Sequence, residues 1–367
     1  MPSGGPKVAL FLPNFASGGA ERVTLNLAKE LNDHGFCAEL VVASSDGPFA
    51  SKVDPSVKVT DLASGRVFKS IGPLSHYLRT ERPAALLAAM NHANMAALIA
   101  NRLSRTKTRL VVSIHNNYSE DMKNVGGAQR LVFTKAIKAL YRSASAIVAV
   151  SEGVADDFAA VTKIPRQRIQ VIYNPTVTPE ILAKSKEEPA HPWFKDSTPV
   201  VLAVGRLSPQ KDFPNLLRAF ALVRKQRAAR LIIYGEGPEK EQLEAMRTEL
   251  GLVADTDFAG FTDNPYSAMR KSAVFAMSSS HEGLPGALIE ALASGAKAIV
   301  STDCPSGPNE ILEGGKHGAL VPVGDSEALA KAIIAGLDGE LPANDGQRWQ
   351  SFTSDKAVEA YGKVLVG

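Results

Sequence analysis

Two glutamates, Glu282 and Glu290, frame the most informative stretch of the chain, His281-Glu282-Gly283-Leu284-Pro285-Gly286-Ala287-Leu288-Ile289-Glu290. An apolar strand ends near Met277, and Pro285 suits a first helical position, where its missing N–H costs nothing. Gly295 suits the stop. The amides of Gly286 and Ala287 then point out of the helix start and form an anion site. Glu282 falls in the loop before the helix and Glu290 on its second turn. At about 1.5 Å of rise per residue, roughly 10 Å separates the two carboxylates. That spacing suits hydroxyl-bearing groups on either side of a bound phosphate. A surface helix carrying two ordinary glutamates is the other reading, and spacing alone leaves both open.

Weaker candidates sit at other strand ends. Gly18 and Gly19 lie between an apolar run and a helical pattern, where glycine permits close backbone approach; a tight turn is the plain alternative. His115 ends the strand pattern Val111-Val112-Ser113-Ile114, and a polar residue at the carboxyl end of a parallel sheet faces the ligand crevice. A structural histidine is its alternative. His92 is open between acceptor binding and core or cap duty. Ser151-Glu152-Gly153 reads as a helix cap. Ser306 and Gly307, after another strand, fit phosphate donors or a simple turn. Asp255-Thr256-Asp257 matches a metal-binding D-x-D pattern but lies at the amino end of a strand, away from the expected crevice, so no metal site is expected. Gly235-x-Gly237 is not a dinucleotide fingerprint, because position 240 is Lys. No Walker motif and no G-x-S-x-G elbow occurs.

The 367 residues carry a net charge of +3, with 45% apolar and 22% charged side chains. Those are ordinary globular values that exclude a disordered chain or a fibre. Cys37 and Cys304 are the only cysteines, which fits a reducing cytoplasm. The stretch Met1–Phe15 has too short an apolar run for a signal peptide. Asn91, His92 and Asn94 interrupt the most apolar segment, Ala84–Ala100, so no membrane span is expected. Charge concentrates in residues 100–143, where nine basic side chains oppose only Glu120 and Asp121. This favours an anionic surface over nucleic acid as a partner. Within it Val132, Phe133, Ile137, Leu140 and Tyr141 interleave with Arg130, Lys135, Lys138 and Arg142. Two readings stand: a membrane-surface helix, or a helix packed on the sheet with a basic solvated face.

The elements that position these residues alternate short apolar runs with helical patterns, the signature of βα units around parallel sheets. Strands are expected at Val8–Leu12, Ala38–Val42, Val57–Thr60, Leu110–Ile114, Ala146–Val150 and Ile169–Ile172. Helices fall at Ala20–Asp33, Ala93–Leu103, Ala128–Ser143 and Val154–Ala160. The rhythm stops over Asn174–Pro199, which carries five prolines and reads as a linker and hinge. It resumes with strands at Val200–Val204, Leu231–Tyr234, Phe258–Ala259, Val274–Met277, Ala298–Ser301 and Ala319–Val321. Helices at Asn215–Gln226, Glu239–Leu250, Pro265–Lys271, Gly286–Ala293 and Ser326–Leu337 separate them. The last segment, Gln347–Leu365, reads as one or two amphipathic helices. The expectation is an α/β chain of two Rossmann-like domains, residues 1–175 and 199–349, joined by a linker at 176–198 and facing across a ligand cleft.

The segment Glu282–Glu290 resembles the E-x7-E signature of the retaining GT-B glycosyltransferases of family 4, glycosyl transferases group 1. The resemblance runs over nearly the whole chain. It includes Ser17-Gly18-Gly19-Ala20-Glu21-Arg22, Val204-Gly205-Arg206-Leu207 with Lys211, Tyr234-Gly235-Glu236-Gly237-Pro238 and Phe258-Ala259-Gly260-Phe261. It implies a GT-B fold whose last helix, about residues 350–367, crosses back to the amino-terminal domain. It also implies a hexosyltransferase that moves a hexose or N-acetylhexosamine from a nucleotide-sugar, a UDP-sugar, to a glycan or lipid-linked acceptor in polysaccharide or glycolipid assembly. No metal and no cofactor is implied. By the same resemblance His115, Glu282, Arg206 and Lys211 carry the reaction. Gly18, Gly19, Gly205, Gly260, Phe261, Leu284, Gly286, Ala287 and Glu290 join Arg206, Lys211 and Glu282 in holding the donor. Lipid-linked acceptors imply a cytoplasmic, peripheral location through residues 100–143. A nucleotide-sugar epimerase and a non-catalytic sugar-binding subunit are the alternatives.

Overall fold

The apolar runs pair as parallel strands in two separate sheets. The computed structural model describes residues 4–16, 18–123, 125–342, 344 and 346–367; Ser17 of the glycine loop lies outside them. One unit comprises Met1–Pro175 with Phe352–Gly367, and the other Thr176–Ser351.

The first unit begins with β1 (Lys7–Leu12), α1 (Gly19–Asp33), β2 (Cys37–Val42), β3 (Lys58–Asp61), α2 (Ile71–Glu81) and β4 (Ala85–Ala89). It continues with α3 (Asn91–Ser104), β5 (Arg109–Ile114), α4 (Tyr118–Asp121), α5 (Gly127–Tyr141), β6 (Ala146–Ala149), α6 (Glu152–Thr162) and β7 (Ile169–Val171). The strand order is β3-β2-β1-β4-β5-β6-β7. β1 pairs β2 from Lys7 against Cys37 and β4 from Val8 against Ala85, so the order reverses between β1 and β4. Central strands are buried on both faces, which is why they read as unbroken apolar runs. The sequence reading missed β4 as a strand and α2 altogether. Ala85-Leu86-Leu87-Ala88-Ala89 has no β-branched residue to signal a strand, and pairing to β1 and β5 decides it.

In the second unit, α7 (Pro179–Lys184), β8 (Val200–Val204), α8 (Phe213–Arg224), β9 (Arg230–Tyr234), α9 (Lys240–Glu249) and β10 (Thr256–Gly260) come first. Then follow α10 (Pro265–Lys271), β11 (Val274–Met277), α11 (Gly286–Ser294), β12 (Ile299–Thr302), α12 (Pro308–Ile311), β13 (Ala319–Val321) and α13 (Ser326–Leu337). The order is β10-β9-β8-β11-β12-β13, reversing between β8 and β11. Its core joins Val201, Ala203, Leu231 and Ile233 to Leu217, Phe220 and Ile333 of the flanking helices. Residues 176–198, expected as a linker, are instead built into this unit. Ile181 is buried, the Asn264 side chain donates to the Lys184 carbonyl at 3.1 Å, and His191 lies 2.9 Å from Asp257.

The chain then returns to the first unit as α14 (Ser354–Val366). Val358, Tyr361, Val364 and Leu365 are buried in the core of that unit with Leu27, Ala28 and Val111, at helical spacing. Arg109 Nε donates to the Val364 carbonyl at 2.6 Å.

Candidate active site

In an open parallel sheet, ligands bind at the carboxyl ends of the strands where the order reverses. In the second unit that point lies between the loops after β8 and β11. The loop after β8 holds Gly205, Arg206 and a short turn ending in Lys211. The loop after β11 runs from Ser278 to Pro285. Lys211 Nζ lies 2.6 Å from Glu282 Oε1, joining the two loops through an ion pair. Gln210 Nε2 donates to the His281 carbonyl at 2.9 Å. Ser278 Oγ donates to the Lys211 carbonyl at 2.7 Å, and the Ser280 amide to the Gln210 carbonyl at 2.8 Å. The Lys211 stem passes close over Gly205, whose Cβ position would sit 3.2 Å from Lys211 Cε.

Glu282 is buried and Glu290 almost completely so. Glu290 sits in the second turn of α11, as the spacing predicts. Pro285 is the residue before the helix and Gly286 its first, one position later than expected; no side chain caps this start. Gly295 ends it in the left-handed conformation, as expected. Leu284 is buried in the loop, whereas Arg206 is exposed and makes no ion pair among the described residues. A Cβ at Gly307 would press on Pro285 Cδ and the Gly283 carbonyl, so Gly307, which precedes α12, packs against the start of α11. Burial pushes the thiol of Cys304, beside Glu282 and Lys211, up to about 12.

The glycine motifs after β8, β9 and β10 prove to be one packed layer. The Gly235 amide donates to the Gly260 carbonyl at 2.8 Å, and the Leu207 amide to the Glu236 carbonyl at 2.9 Å. A Cβ at Gly235, where φ is +151°, would overlap the Gly205 carbonyl oxygen. Phe261, next to Gly260, is exposed. By contrast, a Cβ at Gly286 would meet only Thr176 Cγ2, at 3.9 Å, and one at Gly19 would meet nothing within 4 Å. Packing therefore demands glycine in the layer but not at these two helix starts.

In the first unit, Gly18 precedes α1, and Glu21 in that helix's first turn is buried against it, with its pKa raised by burial. His115 follows β5 and is half-buried, and desolvation pushes its pKa down to about 4. His92 is exposed in the first turn of α3; it is neither core nor cap, since Met90 holds the capping position. Ser151 does cap its helix, accepting from the Val154 amide at 3.2 Å. Asp255 pairs with Arg224 at 2.8 Å, while Asp257, inside β10 and not before it, pairs with His191. Sequence reasoning missed Gln210 and Ser278; the run Ser278-Ser279-Ser280 after a strand was the available signal.

The family model described as glycosyl transferases group 1 matches residues 184–352, and that of glycosyltransferase family 4 matches residues 17–178. An N-acetylgalactosaminyltransferase of Campylobacter jejuni, named for a diphospho-undecaprenol-linked substrate, is 30% identical over 348 residues, 91% of each chain. The chain belongs to the glycosyl transferases group 1. It is a hexosyltransferase. The glycosyltransferase is also 27% identical to a lipopolysaccharide core glycosyltransferase, LpsE, of Rhizobium meliloti, covering 95% of this chain and 96% of that one. Among solved structures, Anabaena HepE in complex with UDP superimposes with a TM-score of 0.80 at 21% identity, covering 98% of this chain and 99% of that one. That likeness establishes the GT-B fold.

Proposed function

We propose that this glycosyltransferase transfers a hexose or N-acetylhexosamine from a UDP-sugar to a lipid-linked or glycan acceptor, with retention at the anomeric carbon and without a metal. The Lys211–Glu282 pair beside the uncapped start of α11 carries the reading. A nucleoside diphosphate gains negative charge as the bond from its oxygen to the anomeric carbon breaks. Lys211, Arg206 and the amides of Gly286 and Ala287 stabilise that charge through fixed donors. Glu290 holds the ribose hydroxyls and Glu282 the sugar. The acceptor oxygen bonds to the same face of the carbon, and a leaving phosphate oxygen takes its proton, so no enzymatic nucleophile is needed. The open space at Gly286 supports close approach of a ligand to the start of α11. One relative is named for a diphospho-undecaprenol substrate and the other for lipopolysaccharide core biosynthesis, which supports the acceptor class.

Peripheral contact with the cytoplasmic face of a membrane belongs to the same proposal. Helix α5 buries Ile137 and Tyr141 but exposes Leu131 and Val132 beside Arg130 and Lys135, and this exposed apolar and basic face supports the membrane reading. Arg79, Arg102 and Arg105 line a cavity of about 650 Å³ with Ile99, Leu103 and Leu140, a basic and apolar lining that suits an anionic lipid. No helix among the described residues is long and apolar enough to cross a membrane.

A panel of UDP-sugars with undecaprenyl-diphosphate glycolipids tests the proposal. UDP release is expected only with acceptor present, unchanged by EDTA, and with the donor's anomeric configuration in the product. Inversion, or loss of activity in EDTA, overturns the corresponding part. Product formed from UDP-sugar alone points to an epimerase.

A further inference from the structure

β5 ends in Ser113-Ile114-His115, and the Ser113 hydroxyl lies between two rings. Its Oγ is 3.1 Å from His115 Nε2 and 3.5 Å from the hydroxyl of Tyr361 on α14. Ser113 and Tyr361 are each 1% exposed. Among the described residues, Ser113 is the only hydrogen-bond partner of the Tyr361 hydroxyl. A buried O–H that donates to nothing bears its full desolvation penalty, so Tyr361 donates to Ser113 Oγ. The Ser113 proton then has one remaining partner, His115 Nε2, which must be unprotonated to accept it.

We infer that Ser113 and Tyr361 lock His115 in the tautomer protonated at Nδ1, so that the imidazole presents a hydrogen-bond donor to a bound sugar or phosphate oxygen. Nδ1 has no protein partner among the described residues, which leaves its N–H available. The depressed pKa of His115 agrees, since a neutral ring has a single tautomeric proton to place. The end of the strand is itself held, because Asn94 Nδ2 donates to the Ser113 carbonyl at 2.8 Å and to the Tyr141 hydroxyl at 3.1 Å. Ser113 and Tyr361 are positioning residues acting through His115. They give the returning helix α14 a task beyond packing. A locked Nδ1–H cannot take the acceptor's proton, so His115 holds the donor sugar and is not the base. The contact with a sugar oxygen rests on the proposed transfer reaction, whereas the tautomer assignment stands on the Ser113 and Tyr361 geometry.

The test is long-range 1H–15N correlation of the ¹⁵N-histidine-labelled full chain at pH 7. His115 is expected as the pure Nδ1–H tautomer. Tyr361→Phe and Ser113→Ala should shift it to a mixture, and Ser113→Thr, which keeps the hydroxyl, should restore it. Transfer by Tyr361→Phe should fall about tenfold, the order of one lost hydrogen bond, with UDP affinity unchanged as the control for an intact fold. An Nε2–H signature in the wild type, or an unaltered tautomer in both Tyr361→Phe and Ser113→Ala, overturns the inference. Full transfer activity in His115→Ala removes the sugar contact and leaves the tautomer assignment standing, so the two failures are told apart.

Discussion

Lys211 is held 2.6 Å from Glu282 with both side chains largely buried, so neither can be removed without consequence for the other. Breaking a buried pair strands the remaining charge, and a charge-assisted phosphate contact contributes about 1.5–3 kcal/mol. Lys211→Ala should therefore weaken UDP binding by about 10- to 100-fold in calorimetry and lower the melting temperature. Adding Glu282→Gln should recover stability but not UDP affinity. His115 makes a different prediction. The unfolded ring takes its proton near pH 6.5 and the folded ring only near 4. Between those values the unfolded chain binds more protons, so stability falls as pH drops through this window. His115→Gln should flatten that part of the urea-midpoint profile from pH 7 to pH 4; an unchanged slope removes the assignment. Glu282 and Glu290 stood out in the sequence through their local spacing, and Arg206 and Lys211 only through the family resemblance of their motif. Gln210, Ser278 and Tyr361 were not, because their partners lie far away along the chain.

At the scale of elements, strand ends and glycine layers set the site. The loops after β8, β9 and β10 stack so closely that Gly235 can carry no side chain without displacing the Gly205 carbonyl. Its positive φ adds backbone strain for any other residue, of order 1–3 kcal/mol. Gly235→Ala should cost at least that in urea unfolding, and it should also impair UDP binding by moving Gly205 and Arg206. Gly251→Ala, with positive φ but open space around it, should be milder. Most strands could be read from the sequence, since burial on both faces leaves short apolar runs. β4 escaped because alanine and leucine favour helix as single residues, and only its two neighbouring strands override that preference. The proline-rich segment 176–198 misled for a related reason. Prolines mark turns and helix starts as readily as linkers, and here Pro179 and Pro192 begin helical turns that pack on the second unit.

At the scale of the whole molecule, the chain's net charge of +3 hides a basic segment with apolar residues in the open. Each Lys or Arg near an anionic bilayer contributes about 1 kcal/mol. Reversing Lys135 and Lys138 to Glu changes four charge units and should lower partitioning to phosphatidylglycerol vesicles by at least about 100-fold, with UDP affinity preserved; equal partitioning in flotation assays overturns the membrane contact. Residue order by itself determined the alternating βα architecture, the family and the identity of the charged groups, because periodicity and short motifs are written locally. Tertiary structure alone decided that Lys211 meets Glu282, that three glycine motifs form one layer, and that α14 returns to place Tyr361 behind His115. Those contacts join residues tens to hundreds of positions apart, and only the order of strands in each sheet brings them within reach of a hydrogen bond.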